Sequence, residues 1–252
     1  MIKKKYKYGL VLSGGGTRGF AHLGALKALE EHGIKPDIIS GVSAGAIVGA
    51  LYADGQDAGE ALKALISKNL MTFLRLIVPK DGLLKMTGFE RTLRKTLNAR
   101  TFEDLKIPLI IHAVNINTIE YTRFDKGDLI QAIKASSSIP VVFPPMEIDG
   151  QQYLDGGILN NFPVEPLEGR CRTIIGVNVN PLGHQDHISG LRTIALRSFH
   201  LTMRQHAITR KDKCDIYIEP EKVQEYGIID LSSAQKVFDL GYNKTKEVLA
   251  NH

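Results

Sequence analysis

The chain has 252 residues, of which 43% are hydrophobic and 23% charged, values ordinary for a soluble globular domain with a sizeable core. A net charge of +5 is mild, with a local run only at Lys3, Lys4, Lys5 and Lys7, so nucleic acid is not an expected partner. The apolar run at Leu10–Leu12 is too short for a secretory h-region. No stretch approaches the ~20 apolar residues of a membrane span, and the distant Cys171 and Cys214 suggest neither a disulfide framework nor a metal site. The expectation is a cytoplasmic protein, with peripheral membrane contact left open.

In chain order, Gly9–Ser13 reads as a strand and the stretch from Arg18 to His32 as a helix. Ala21, Gly24, Ala25 and Ala28 recur on that helix at a spacing suited to close packing on a sheet. Gly33 stands as its C-cap, before Pro36. Asp37–Ser40 is a second short strand, followed by a helix with Ala44, Ile47, Val48 and Leu51 in phase. Residues 57–69 predict a helix, as do 87–97, where Thr87 and Glu90 form a capping box. The near-continuous apolar run 107–115 predicts a strand covered on both faces, and 119–124 could pair with it. Asp128 caps a helix to Ser136, and 146–154 reads as two short strands around Asp149-Gly150. Strands at 173–180 and 215–219 and helices at 190–210 and 232–250 complete the pattern. This alternation predicts a mostly parallel sheet with helices on both faces. With no repeat or linker, residues 1–252 read as one domain that includes the helices of 188–252.

Two glycine turns carry chemistry. Gly14, Gly16 and Gly19 fit the dinucleotide fingerprint, which calls for an acid at the end of the second strand. Asp37 begins that strand instead, and its end holds Gly41-Val42-Ser43-Ala44-Gly45. This G-x-S-x-G turn projects a serine hydroxyl between a strand and a helix, with tight backbone at both glycines. The first loop would open at the same sheet edge, offering N–H donors to an oxyanion rather than to a pyrophosphate. Ser43 then needs a base. Asp155 followed by His184 or His187 would give a conventional triad order, although only two short strands precede Ser43. Asp155 itself, trailed by Gly156-Gly157, is the other candidate, with an ordinary Asp-Gly turn as the plain alternative.

Four blocks occur in order: GGGTRG (14–19), GVSAG (41–45), ASSSIPVVFPP (135–145) and DGGILNNFP (155–163). Together they resemble the patatin-like phospholipase family of lipid acyl hydrolases over about residues 8–180. The resemblance implies a three-layer α/β/α fold and a Ser–Asp dyad with no catalytic histidine. By position it makes Ser43 the nucleophile and Asp155 the base, and places Gly14, Gly15, Gly16 and Arg18 in the oxyanion block. It implies a phospholipid or lysophospholipid ester as substrate and needs no cofactor or metal. A small-ester esterase or thioesterase would use the same parts. A non-catalytic nucleotide-binding domain and a membrane-surface scaffold are the competing classes.

A free aspartate, with pKa near ~3.9, is a weak base at neutral pH. Desolvation by Ile139, Val141, Val142 and Phe143 would strengthen it. His22 and His112 read as locally bonded buried residues, Ser136–Ser138 as structural, and Asn160, Asn161 and Pro163 as shaping the turn after the base. The apolar segment 70–86 reads equally as core and as a lid. Residues 191–213 place Leu191, Ile194, Ala195, Phe199 and Met203 on one face with arginines beside them, read first as a core-facing surface helix and second as a membrane contact.

Overall fold

The computed structural model describes residues 4–67, 86–181, 183, 187–227 and 232–251. The segment 70–86, apart from Met86, lies outside them, as do His184 and Asp186. Strands β1 (Tyr6–Leu12), β2 (Ile38–Val42), β3 (Leu109–Asn115), β4 (Glu120–Phe124), β5 (Met146–Ile148), β6 (Gln151–Asp155), β7 (Cys171–Val177) and β8 (Ile216–Ile218) join one sheet. The helices are α1 (Phe20–Glu31), α2 (Ala44–Ala53), α3 (Ala58–Ser67), α4 (Thr87–Thr96), α5 (Leu129–Ser136), α6 (Leu191–Ile208) and α7 (Ala234–Leu249).

β3, β2, β1, β7 and β8 run parallel in that spatial order. The antiparallel strands are confined to one side: β4 and β6 pair with β3, and β5 with β6. Alternate residues of the parallel strands feed two cores, as expected where both faces of a sheet are covered. Leu10, Leu12, Ile39, Ile111 and Ile175 point into the larger core. Val11, Ile38, Ile110 and Ile174 point into a smaller one, closed by Phe162, Val164, Leu167 and Ala207 of α6. The fold is therefore α/β, a mostly parallel sheet flanked by helices.

Several local signals behave as expected. Asp128 Oδ1 accepts from Gln131 N–H at 2.9 Å, capping α5. Gly33 takes φ +71° just past α1. Asp149 and Gly150, at φ +50° and +72°, make the two-residue turn between β5 and β6. Two expectations fail. The cap of α4 is Met86 with no side-chain capping bond, and Glu90 pairs with Arg94 and Lys134 instead of reaching back. The small-residue face of α1 meets a helix rather than the sheet. A β-carbon on Gly24 would collide with the Phe238 carbonyl of α7, and one on Gly241 with the Ala21 carbonyl of α1. The two backbones touch because each helix offers a glycine to the other.

Candidate active site

β2 delivers the chain to Ser43, which takes φ +53° and ψ −120° before α2 begins. A non-glycine residue there is strained, by about 1–3 kcal/mol, and is held only by its surroundings. The surroundings are tight. A β-carbon on Gly41 would lie 2.6 Å from the Gly45 carbonyl oxygen, and one on Gly45 would strike the Leu12 carbonyl. The turn is also tied to α5, where Ser136 Oγ accepts from Ser43 N–H at 2.8 Å. Ser136 thus braces the serine turn, a function that its place in a serine run does not reveal.

Strand pairing brings the carboxylate to the serine. β4 pairs with β3 through Ile111–Asn115, so β2, paired through Leu109–His112, and β6, paired through Ala113–Asn115, share the opposite edge of β3. They run head to head. Val42 ends opposite His112, and Asp155 ends opposite the next residue, Ala113. A parallel and an antiparallel strand therefore stop at the same point, each handing over to a turn that carries one of the two groups.

Asp155 is fully buried. Its N–H donates to Ser138 O at 2.9 Å, which seats block 135–145 beside it. Its Oδ1 accepts from Gly157 N–H at 2.8 Å, whereas Oδ2 meets no donor at full hydrogen-bond geometry. Burial raises the carboxyl pKa to about 7, against opposing bonds from the Ser43 hydroxyl and the Gly157 N–H. Among the described residues no imidazole acts on it. Val142 and Phe143 are buried nearby in sequence, but Val141 is 46% exposed at φ +68° and does not desolvate the site as expected.

The glycine loop lies against Ser43: a β-carbon on Gly14 would sit 3.0 Å from Ser43 Cβ. Within the loop the donors are divided. Gly14 N–H bonds Asn161 Oδ1 at 3.1 Å, and Arg18 N–H bonds Gly15 O at 3.2 Å. The N–H groups of Gly15 and Gly16 have no acceptor among the described residues, as befits the first turn of a helix. The Arg18 guanidinium is committed to backbone carbonyls. It donates to the carbonyls of Tyr226, Gln224 and Pro181, at 2.9, 3.2 and 3.4 Å, pinning two later segments.

Asn161 links the parts. Besides holding Gly14, its Oδ1 would lie 2.9 Å from a β-carbon on Gly157, and its N–H bonds His206 Nδ1 at 3.2 Å. Met203 Cε comes within 3.3 and 3.5 Å of β-carbons placed on Gly14 and Gly157, so α6 walls the site. Periodicity marks Met203 only as part of an apolar helix face and His206 not at all, and the matched blocks end before α6. Of the histidines weighed, His22 Nε2 bonds Ser13 O at 2.8 Å and His112 Nε2 bonds Ser40 Oγ at 3.0 Å. Burial lowers their pKa values to about 4 and about 3. His187 is exposed and is not among the groups that shift the Asp155 carboxyl.

Comparison with known proteins gives these arrangements a context. A family model for patatin-like phospholipase matches residues 10–168, more than half of the chain. Among curated relatives, lysophospholipase NTE1 of Saccharomyces cerevisiae is 30% identical over 266 residues, covering 92% of this chain and 16% of that protein. Patatin-like phospholipase domain-containing protein 6 of Mus musculus is 26% identical over 275 residues, covering 95% and 20%. The chain thus spans a fifth or less of these relatives' length. The crystal structure of VipD from Legionella pneumophila superposes with a TM-score of 0.59 at 17% identity, over 98% of this chain and 67% of that one. ExoU–SpcU from Pseudomonas aeruginosa gives 0.51 at 18%, over 99% and 52%. At such identities the superpositions speak for the fold alone. By the match of its first two-thirds to the family model, the chain belongs to the patatin-like phospholipase family.

Proposed function

We propose that this chain is a serine acyl hydrolase that cleaves carboxylic esters of lipids, with Ser43 and Asp155 as its dyad. The observation that carries the reading is the head-to-head ending of β2 and β6 on one edge of β3, which sets a strained serine against a buried carboxylate. In the first half-reaction Ser43 Oγ bonds the carbonyl carbon and its proton passes to Asp155. That proton then leaves with the departing alcohol, giving the acyl-enzyme. In the second, water attacks the acyl carbon, Asp155 takes its proton, and the proton returns to Ser43 Oγ as the fatty acid departs. A carboxylate with pKa near 7 is a far better base at neutral pH than an ordinary aspartate.

The oxyanion is held in this scheme by the Gly15 and Gly16 N–H groups, which have no acceptor among the described residues. Gly14 and Arg18 serve the loop indirectly, Gly14 through Asn161 and Arg18 through the carbonyls it binds. The lysophospholipase names of relatives motivate lysophosphatidylcholine as the first substrate to assay. The test is a fluorophosphonate probe together with fatty-acid release. Stoichiometric labelling that disappears in Ser43→Ala, with turnover lost in both Ser43→Ala and Asp155→Asn, supports the assignment. Labelling or turnover that survives Ser43→Ala ends it. Dinucleotide protection against proteolysis with no probe reaction would return the glycine loop to nucleotide binding.

A further inference from the structure

Gly14 and Gly15 stand side by side in the loop, and neither has a side chain to resist rotation of the peptide between them. The preceding peptide, Ser13–Gly14, is held at both ends: His22 Nε2 bonds its carbonyl at 2.8 Å, and Asn161 Oδ1 its N–H at 3.1 Å. The Gly14–Gly15 peptide is held at one end. Its carbonyl accepts from Nδ2 of Asn180, whereas its N–H has no acceptor among the described residues. Asn180 is buried and lies outside the four sequence blocks. Its own place is fixed by hydrogen bonds. The Val179 N–H donates to Ser13 Oγ at 3.0 Å, and the Asn180 N–H to Asn178 Oδ1 at 3.2 Å. Asn178 Nδ2 in turn donates to Glu219 Oε2 at 2.7 Å. The approach is so close that a β-carbon on Gly15 would lie 2.6 Å from Val179 Cγ2 and 3.4 Å from both ends of the Asn180 amide.

We propose that Asn180 is a positioning residue for the oxyanion hole, holding the Gly14–Gly15 peptide so that the Gly15 N–H faces the reacting carbonyl oxygen. Peptide geometry supplies the argument. A trans peptide is planar, and its C=O and N–H point in opposite directions, so fixing one fixes the other. Only the amide nitrogen of Asn180 can donate to a carbonyl, which settles the direction of the bond. Rotating this peptide by half a turn would exchange its ends and aim a carbonyl oxygen at the oxyanion, turning stabilisation into repulsion. Between two glycines no β-carbon opposes that exchange. The bond also polarises the peptide, which makes its N–H a stronger donor. Asn161 acts on the preceding peptide, so the two asparagines have separate tasks: one sets where the loop lies, the other which way its donor points. The assignment rests on the acyl-hydrolase reading.

The test compares the wild type with Asn180→Asp, which keeps the shape of the side chain but offers the Gly14 carbonyl an acceptor in place of a donor. The peptide should then turn its N–H to the carboxylate, and kcat on lysophosphatidylcholine should fall by about 10²–10³, the cost of losing one oxyanion donor. Asn180→Ala, which only releases the peptide, should lose about tenfold, and gives the same readout should the aspartate variant misfold. KM should change by no more than about twofold, because the lost contact is made in the transition state. A second measurement separates positioning from a structural role. With an alkyl trifluoromethyl ketone, Ser43 Oγ bonds the ketone carbon, its proton passes to Asp155, and the ketone oxygen takes the negative charge. The Ki of this adduct should rise in step with the loss of kcat/KM, whereas binding of the matching secondary alcohol, which forms no adduct, should not change. Variants with wild-type kcat, or equal weakening of both ligands, overturn this proposal alone. A wild type without Ser43-dependent turnover overturns the hydrolase reading and this assignment with it.

Discussion

Replacing Asp155 with Asn should stabilise the fold while destroying turnover. The buried carboxyl has a pKa of about 7 in the folded chain against an ordinary 3.8. A difference of about 3 units at 1.36 kcal/mol each means that ionising Asp155 costs the folded state about 4 kcal/mol. Because the folded pKa is the raised one, the unfolded chain gives up this proton first as pH climbs. The penalty is absent below about pH 4, grows between about 4 and 7, and is complete above 7. Asn cannot ionise, and its carbonyl can still accept from Gly157 N–H. Urea unfolding should therefore find Asp155→Asn more stable than wild type by about 2–4 kcal/mol at pH 8 and equal to it near pH 4. Turnover should fall by about 10²–10⁴, the usual contribution of a general base. A gap that does not change with pH, or a variant weaker than wild type at pH 8, would refute the claim that desolvation dominates at this carboxylate.

Wild-type hydrolysis of a soluble ester should rise with pH through about 7 and level off above it, as Asp155 loses its proton; a profile flat from pH 5 to 9 would contradict that assignment. Arg18→Ala should lower stability by about 2–3 kcal/mol, since it orphans three carbonyls, and leave kcat per folded molecule nearly unchanged; a selective loss of kcat would restore Arg18 to the oxyanion. Asn161→Ala should cut kcat about tenfold or more with little change in KM, because Gly14 N–H loses its anchor, and steady-state kinetics on lysophosphatidylcholine will show the split. Gly24→Ala should cost about 2–4 kcal/mol in chemical denaturation, because the added carbon meets α7 backbone that cannot rotate away.

The sequence by itself determined what local interactions fix. Turn chemistry at Asp128 and Asp149-Gly150, the paired glycines around Ser43, and apolar runs such as 107–115 specify their elements through contacts within a few residues. The serine turn was legible for that reason, and Asp155 was legible as a candidate through its glycines and through the order of the four blocks. Only the tertiary structure decided how these pieces meet. Position 155 faces position 43, more than a hundred residues away, because β2 and β6 divide one edge of β3, an arrangement that no local pattern encodes. The same holds for the small-residue face of α1, whose spacing announces close packing without naming α7 as the partner. Arg18 sits in the glycine-rich block, yet its side chain is long enough to bind carbonyls some two hundred residues away. Helix periodicity foretold that α6 would exist. Which of its sides faces the core was settled by what the rest of the chain left to be covered.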